Sequence, residues 1–190
     1  MFAIDLIKHI IIQLSETSTN SDQLIEGLEQ NFFMVPPDQK GDVFLDSGLF
    51  LYERSRPDFA ADLLQHALKH YINNNNRYGE LRCYRNLGHM YYDQGDYGKA
   101  LVYHRKTLPI TIELGLKAEQ SNCYGNLGSV HFHLKDFRKA IKYYEKSVQI
   151  AVELEDRDVE LQGYKNLCMA YENLKDFQKA AEYRKKSIQS

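Results

Sequence analysis

One segment of this chain recurs three times at a fixed spacing of 40 residues, at positions 84–100, 124–140 and 164–180. Each copy has an Asn-Leu pair near its start and an Asp, a Lys and an Ala near its end. A fixed period of about 20 to 50 residues is typical of solenoid proteins, whose repeats pack mainly against their neighbours. We therefore expect an elongated array of repeats rather than a single compact core.

Each copy also has the apolar spacing of a helix pair. Tyr84, Leu87 and Tyr91 lie at positions i, i+3 and i+7, which places them on one helical face. The first helix of each pair, helix A, is predicted to run for about 14 residues. Its predicted starts are near Glu80, Gln120 and Glu160, and helix B is predicted to start at Tyr97, Phe137 and Phe177. The fold class is therefore all-α, with clear repeats at 79–115, 119–155 and 159–190 within an array over 41–190.

The chain before residue 79 is less regular. Residues 41–76 are predicted to be a degenerate repeat whose second helix does not keep the 40-residue register. Four consecutive asparagines at 73–76 predict the connection to the next repeat, because asparagine is a poor helix former. Residues 1–40 are predicted to be a helical extension, beginning with a helix over 2–14. This extension either caps the array or occupies its groove, in which case deleting it would raise the affinity for a ligand.

Composition argues against several classes of function. The formal net charge of -2 and the pI of about 6.4 do not favour attraction to nucleic acid or to an anionic membrane. The apolar segment before residue 15 is too short to span a bilayer and lacks the basic start of a signal peptide, so a packed amphipathic helix is expected. Three cysteines without CxxC spacing favour buried, reduced thiols in a cytoplasmic protein over a zinc site or disulfides.

The repeated residues resemble the consensus of the tetratricopeptide repeat, an antiparallel helix pair. The matching residues of the first copy are Tyr84, Leu87, Gly88, Tyr91, Tyr97 and Ala100. The Asn-Leu-Gly triplets at 86–88 and 126–128 resemble a branch with long, 40-residue repeats that includes the Leu-Gly-Asn/Pins scaffold proteins. Similar arrays occur in bacterial peptide-sensing regulators. The resemblance covers 79–190 well and 42–76 weakly, and it implies a right-handed α-solenoid.

Three residues depart from the repeat pattern, and one of them is Pro109, which falls inside helix B of the first clear repeat and is expected to kink it. His131 stands where the first copy has Tyr91, and Cys168 stands where it has Gly88. The last helix B is not followed by a polar cap in the sequence. This motivates the expectation that the face bearing Ala180 is covered by a partner or a second copy, or that the array is longer.

Helix A of each repeat lines the concave side of such a solenoid, so the residues beside its core face are predicted to contact a ligand. By resemblance, the peptide-contacting positions fall on Arg82, Arg85, Asn86, His89, Asn122, Asn126, Ser129, Gln162, Lys165, Asn166 and Met169. An asparagine side chain can both donate to and accept from the backbone of an extended peptide, so Asn86, Asn126 and Asn166 would form a ladder along it. Alternatively, these asparagines tie one repeat to the next, and the basic residues form a solvated surface.

No residue pattern indicates catalysis, a metal site or a cofactor. There is no Gly-rich phosphate loop, no strand-borne nucleophile and no pair of carboxylates in a plausible pocket. His131 and His133 lie two residues apart, which on a helix directs their side chains about 200° apart. They cannot share one metal ion, and we expect them to pack in the core or the groove instead.

The preferred hypothesis is a non-enzymatic adaptor that binds a peptide segment of a partner protein in the concave groove. One alternative is a structural module that self-assembles into homo-oligomers through the C-terminal face, since exposed apolar surface usually marks an interface. Another alternative is a regulatory domain that changes shape on binding a small signalling peptide, as bacterial relatives of the fold do. The identity of the partner does not follow from the sequence.

Overall fold

The computed structural model describes residues 2–32 and 35–188, with side chains described from residue 9 onward. These residues form ten α-helices and no β-strand, which confirms the all-α prediction. The helices are α1 (Phe2–Thr17), α2 (Ser21–Asn31), α3 (Lys40–Glu53), α4 (Pro57–Asn73), α5 (Arg77–Asp93), α6 (Tyr97–Glu113), α7 (Lys117–His133), α8 (Phe137–Glu153), α9 (Arg157–Asn173) and α10 (Phe177–Lys186). The predicted extension and array also include residues 1, 33–34 and 189–190, which lie outside the described residues.

The helices group into two compact units, residues 1–90 and 91–190. In the first unit, α3 packs against α4, and α2 packs against both α1 and α4. In the second unit, consecutive helices from α6 to α10 pack against one another. Connections of three residues join all consecutive helices except α2 and α3, which is typical of antiparallel helix pairs.

A residue in the left-handed backbone region follows seven of the helices and recurs every 20 residues. These residues are Ser55 (φ 59°), Asn75 (φ 53°), Gly95 (φ 75°), Gly115 (φ 67°), Lys135 (φ 61°), Glu155 (φ 56°) and Lys175 (φ 62°). A left-handed residue lets the chain leave one helix and reverse within a short connection. The 40-residue sequence period therefore consists of two structural halves of equal length.

Aspartates in the repeated segment begin the helices that follow. The side chains of Asp96, Asp136, Asp156 and Asp176 each accept a hydrogen bond from the backbone N–H three residues later. Asn76 does the same for the N–H of Gly79, at 2.8 Å. Such an N-cap contributes about 1 kcal/mol to helix stability. Arg56 before α4 and Leu116 before α7 stand at equivalent positions without a side-chain cap.

Helices α5, α7 and α9 begin three residues earlier than predicted, at Arg77, Lys117 and Arg157, and each has 17 residues. The prediction began each helix where the apolar pattern begins, but their first turn is polar. Arg77 and Arg157 form ion pairs one turn apart with Glu80 (2.6 Å) and Glu160 (2.8 Å). These pairs support a turn that apolar spacing cannot reveal.

The predicted change of register within residues 41–76 is wrong. Helix α4 begins at Pro57, 40 residues before α6 begins, and both helices have 17 residues. Ala60 is fully buried, as is Ala100 at the equivalent position of α6. A proline in the first turn replaces the Asp-aromatic start of the later repeats, and its fixed φ begins the helix equally well. The register is therefore kept although the residues that mark it are absent.

In the first unit, the ring of Tyr71 is held between glycines from two neighbouring helices. Its side chain is 1% exposed. A Cβ atom on Gly41 would lie 2.8 Å from the ring, and one on Gly79 would lie closer still. The hydroxyl of Tyr71 donates to Asp42 Oδ1 at 2.6 Å, and Arg82 Nη1 donates to the same oxygen at 2.6 Å. Close contacts from α3 and α5 thus restrain both the ring and the hydroxyl of this side chain.

In the second unit, a stacked pair of rings joins helix A to helix B in each repeat. The pairs are Tyr91–Tyr103, His131–Tyr143 and Tyr171–Tyr183, with ring centroids 5.5, 5.3 and 5.6 Å apart and interplanar angles of 6°, 15° and 7°. Lys99 and Lys179 lie over the Tyr91 and Tyr171 rings, at 4.8 and 5.0 Å from the centroids. His131 therefore occupies a position that is tyrosine in the other two pairs.

Acidification is expected to destabilise the fold through His131. Its side chain is 3% exposed, and burial lowers its pKa; Asp136 opposes this shift, while Lys139 and Arg105 add to it. The unfolded chain therefore binds the proton more tightly than the folded chain. The stability that depends on neutral His131 is complete above about pH 6.5 and is lost as the pH falls through the folded-state pKa.

His131→Tyr restores the ring of the other two repeats and removes this titration. At about pH 5 we expect the variant to be more stable than the wild type, and we expect the difference to shrink at about pH 8. Urea unfolding followed by circular dichroism at both pH values measures the two differences. A stability difference that is the same at both pH values would contradict the prediction. Half-buried His66 and His70 in the first unit are present in both proteins, so only the difference between the two proteins is diagnostic.

All three cysteines are free and buried, as predicted. Burial raises the pKa of Cys83 to about 12 and that of Cys123 to about 11. The Sγ atom of Cys123 also lies 2.8 Å from the Thr107 hydroxyl. Because only the thiolate is a strong nucleophile, these thiols are structural side chains rather than reactive ones.

Candidate functional site

A cavity of about 400 Å³ lies beside helices α7 and α9 in the second unit. It is lined by Tyr92, Asn122, Gly125, Asn126, Ser129, Tyr144, Ser147, Val159, Gln162, Gly163 and Asn166. Five of these are residues that the repeat pattern predicts for the groove, namely Asn122, Asn126, Ser129, Gln162 and Asn166. They come from the A helices of two successive repeats, and the fold brings them together around one cavity.

Helix α8 contributes the hydroxyl of Tyr144 to this cavity, where it hydrogen-bonds to α7. Tyr144 is 3% exposed, and its hydroxyl donates to Ser129 Oγ at 3.3 Å, which in turn donates to the Gly125 carbonyl at 3.1 Å. Burial raises the pKa of Tyr144 to about 12, so its hydroxyl keeps its proton at neutral pH. Ser129 also forms a side-chain hydrogen bond with Tyr92, so two tyrosines of the lining meet at this one serine.

Side-chain amides from α7 and α9 form the polar wall. Asn122 and Gln162 are exposed, whereas Asn126 and Asn166 are half-buried. Gln162 Nε2 donates to Asn166 Oδ1 at 3.0 Å, one helical turn away. Each amide has two donor hydrogens and one acceptor oxygen, so this pair keeps donors and an acceptor that suit the backbone of a peptide.

Small residues bring α7 and α9 close to α8 at the base of the cavity. Ser121 Oγ donates to the Ser147 carbonyl at 2.8 Å. A Cβ atom on Gly125 would lie 3.5 Å from Ser147 Oγ. Gly163 packs directly on the side chain of Val148, with no room for a methyl group between them. These close approaches set the width of the cavity.

The four predicted groove residues of the first unit lie on α5. Arg82 Nη1 is 2.6 Å from Asp42 Oδ1 on α3, so Arg82 ties one repeat to the preceding one. The side-chain amide of Asn86 donates to the Arg82 carbonyl at 2.8 Å, within its own helix. Arg85 is half-buried and His89 is exposed. Arg82 therefore joins two repeats, a role that the sequence pattern suggested only for the asparagines.

The predicted groove and the cavity do not coincide fully. Lys165 and Met169 are exposed on α9 and do not line the cavity. The lining residues that the sequence did not single out are Tyr92, Gly125, Tyr144, Ser147, Val159 and Gly163. Tyr144 and Ser147 come from helix B, which a prediction confined to helix A could not include. Gly125 and Gly163 could have been found, because a glycine inside a predicted helix often has a packing reason.

The two histidines of α7 pack against different rings, and only His131 is buried, as expected for core packing. His131 stacks on Tyr143 inside the unit, whereas exposed His133 stacks on Tyr97 with ring centroids 4.7 Å apart. Within the part of the chain that the structure describes, neither ring nitrogen of His131 has a hydrogen-bond partner. His131 is therefore a packing residue and lies apart from the cavity lining.

Several solved structures share this fold at low sequence identity. The apo form of RapI has a TM-score of 0.78 at 19% identity, covering 88% of this chain and 48% of that one. A signal transduction ATPase with a tetratricopeptide repeat sensor from Pyrococcus horikoshii has a TM-score of 0.77 at 21% identity, covering 95% and 28%. A Rap protein complexed with Competence and Sporulation Factor has a TM-score of 0.69 at 19% identity, covering 88% and 46%. The chain spans about half the length of these Rap proteins, and identities this low show the fold alone.

No curated protein matches the chain. Among the helices that the structure describes, none has both the length and the apolar character required to cross a bilayer. A family model for the tetratricopeptide repeat matches residues 42–113 and 119–190, which together make up most of the chain. The first match includes the region that the sequence pattern describes only as degenerate. With its repeated helix pairs and its 40-residue period, the chain belongs to the tetratricopeptide repeat family.

Proposed function

We propose that this protein is a non-enzymatic, cytoplasmic adaptor that binds an extended peptide segment of a partner protein along α7 and α9. The observation that carries the proposal is the cavity of about 400 Å³ walled by amides from two successive A helices. This volume lies within the range of about 300 to 1,000 Å³ that is common for ligand sites. A row of amide groups is also the chemistry that a peptide backbone requires.

The affinity of such a site needs more than hydrogen bonds. An extended peptide presents N–H and C=O groups in alternation, and Asn122, Asn126 and Asn166 can pair with both kinds. Three such bonds would contribute about 3 kcal/mol, whereas micromolar binding requires about 8 kcal/mol. The remainder must come from buried side chains of the peptide. The rings of Tyr92 and Tyr144 line the cavity and offer the apolar contact area for such an anchor.

A second candidate function is a regulatory domain that changes shape when a signalling peptide binds. It is favoured by the likeness to a Rap protein solved in complex with Competence and Sporulation Factor. Solution scattering with and without the bound peptide separates the two functions, because only a switch predicts a change in the radius of gyration.

The Asn-Leu-Gly triplets and the 17-residue helices further favour the long-repeat branch that includes the Leu-Gly-Asn/Pins scaffolds.

Selection of a phage-displayed random peptide library on the intact chain tests the adaptor function. The affinity of each recovered peptide is then measured by fluorescence anisotropy. The double variant Asn126→Ala/Asn166→Ala is expected to bind about 30-fold more weakly, because two bonds of about 1 kcal/mol each are lost. Circular dichroism of the variant checks that its helices are intact.

Asn173→Ala is the matched control. Asn173 is exposed at the end of α9, its amide donates to the Met169 carbonyl at 2.8 Å, and it does not line the cavity. We expect this variant to bind like the wild type. Peptides that bind the double variant as tightly as the wild type would contradict a role for the cavity. If no peptide is recovered, self-assembly becomes the preferred hypothesis, and sedimentation of the intact chain tests it.

A further inference from the structure

Two histidines of α4 and a glutamate of α2 bring three metal-ligating atoms together in the first unit. His66 Nε2 lies 3.2 Å from Glu29 Oε1 and 3.3 Å from His70 Nε2. All three atoms lie within 4.8 Å of one another. Ligands bound at about 2.0 to 2.2 Å in a tetrahedral site are separated by about 3.3 to 3.6 Å. Two of the three separations are therefore already close to those that a single ion requires.

Packing holds both imidazole rings in this arrangement. His66 and His70 are one turn apart, so their side chains leave the same face of α4. Phe44 of α3 contacts both rings, edge-on to His66 at 4.4 Å and stacked on His70 at 5.5 Å between centroids. The His66 side chain is 19% exposed, whereas that of Glu29 is 45% exposed. The rings are thus positioned in advance, and the carboxylate has room to close on an ion.

The hydrogen-bonding pattern of the cluster also suits a cation. Neutral imidazole is the form that binds metal ions. A proton on His66 Nε2 can be donated to only one of its two neighbours, whereas one cation can be bound by all three groups.

We propose that Glu29, His66 and His70 form a binding site for a divalent transition-metal ion, for which Zn²⁺ is the best match. Imidazole together with carboxylate suits Zn²⁺, and three protein ligands leave one tetrahedral position for water. A bound ion would fasten α2 to α4 and so stabilise the first unit. The sequence pattern predicted no metal site, because the histidine pair on α7 cannot share one ion; the proposed site lies on other helices. The His-x-x-x-His spacing is visible in the sequence, but Glu29 lies 37 residues from His66 and only folding brings it close.

Titration of the untagged, chelator-treated chain with Co²⁺, followed by competition with Zn²⁺, tests the proposal. We expect one equivalent of Co²⁺ to bind with visible absorption bands, and Zn²⁺ to displace it. His66→Gln and His70→Gln are each expected to weaken Zn²⁺ binding by at least about 100-fold, because losing even an outer partner of a ligand costs about 10- to 100-fold. Zn²⁺ is also expected to raise the melting temperature of the wild type by a few degrees.

His133→Gln is the matched control, because it removes an exposed histidine that lies outside the cluster. It is expected to bind Zn²⁺ like the wild type. Glu29→Gln keeps the size of an exposed side chain while removing its charge, so a loss of Zn²⁺ binding there cannot be attributed to unfolding. Failure of the wild type to bind one equivalent would overturn the proposal. So would an unchanged Zn²⁺ affinity in His66→Gln and His70→Gln.

Discussion

Replacing Gly79 by alanine is expected to destabilise the first unit by about 2 kcal/mol. The added methyl group would overlap the ring of Tyr71, which is 1% exposed. The ring cannot move aside, because Gly41 closes on it from α3 and its hydroxyl is bonded to Asp42 at 2.6 Å. Overpacking a core typically costs about 1 to 3 kcal/mol, and a ring fixed on several sides belongs at the upper end. The better helix propensity of alanine, about 1 kcal/mol, offsets only part of this cost.

Urea unfolding followed by circular dichroism measures this loss, and Gly98→Ala is the matched control. A Cβ atom on Gly98 would meet only Asp96 Oδ1, at 3.5 Å. The control is therefore expected to keep the wild-type stability or to gain up to about 1 kcal/mol from helix propensity. If Gly79→Ala were as stable as Gly98→Ala, the close packing of Tyr71 against α5 would not describe the protein in solution.

The sequence period was sufficient to predict the helix pairs because each repeat buries the same face against the same kind of neighbour. Leu87, Leu127 and Leu167 are all at most 1% exposed, and they recur at the 40-residue spacing. The aspartate caps recur for the same reason, since each helix B must begin at the same point. Where a different residue begins the helix, as Pro57 does in α4, the sequence no longer shows the repeat pattern, although the helix has the same length and register.

The site was only partly predictable because side-chain partners depend on contacts across repeats. Arg82 is on the predicted helical face, yet its guanidinium is paired with Asp42, which lies 40 residues earlier. Tyr144 belongs to a helix that the groove prediction excluded, and it lines the cavity because α7 and α8 approach closely at Gly128. A helical face can be deduced from periodicity alone, whereas pairing and close approach require the fold.

Replacing Gly163 by alanine is expected to cost about 2 to 3 kcal/mol in the second unit and to weaken peptide binding as well. Gly163 stands at the repeat position of Cys83 and Cys123, so the repeat pattern does not forbid a side chain there. The obstacle is local, because the new methyl group would overlap the Val148 side chain of α8, which is 8% exposed. Relief requires α9 to move away from α8, and this movement would displace the amides that α9 contributes to the cavity.

A double-mutant cycle with Val148→Ala distinguishes this local overlap from a general effect of the substitution. Val148→Ala alone is expected to cost about 2 kcal/mol, because it leaves space in the core. In the double variant the methyl group added at residue 163 fills space left by the shorter side chain at residue 148. Its loss of stability should therefore be smaller than the sum of the single losses by at least about 1 kcal/mol. Urea unfolding measures all three variants, and anisotropy with a selected peptide shows whether affinity recovers together with stability. Strictly additive losses would mean that Gly163 and Val148 do not meet, and that the width of the cavity is set elsewhere.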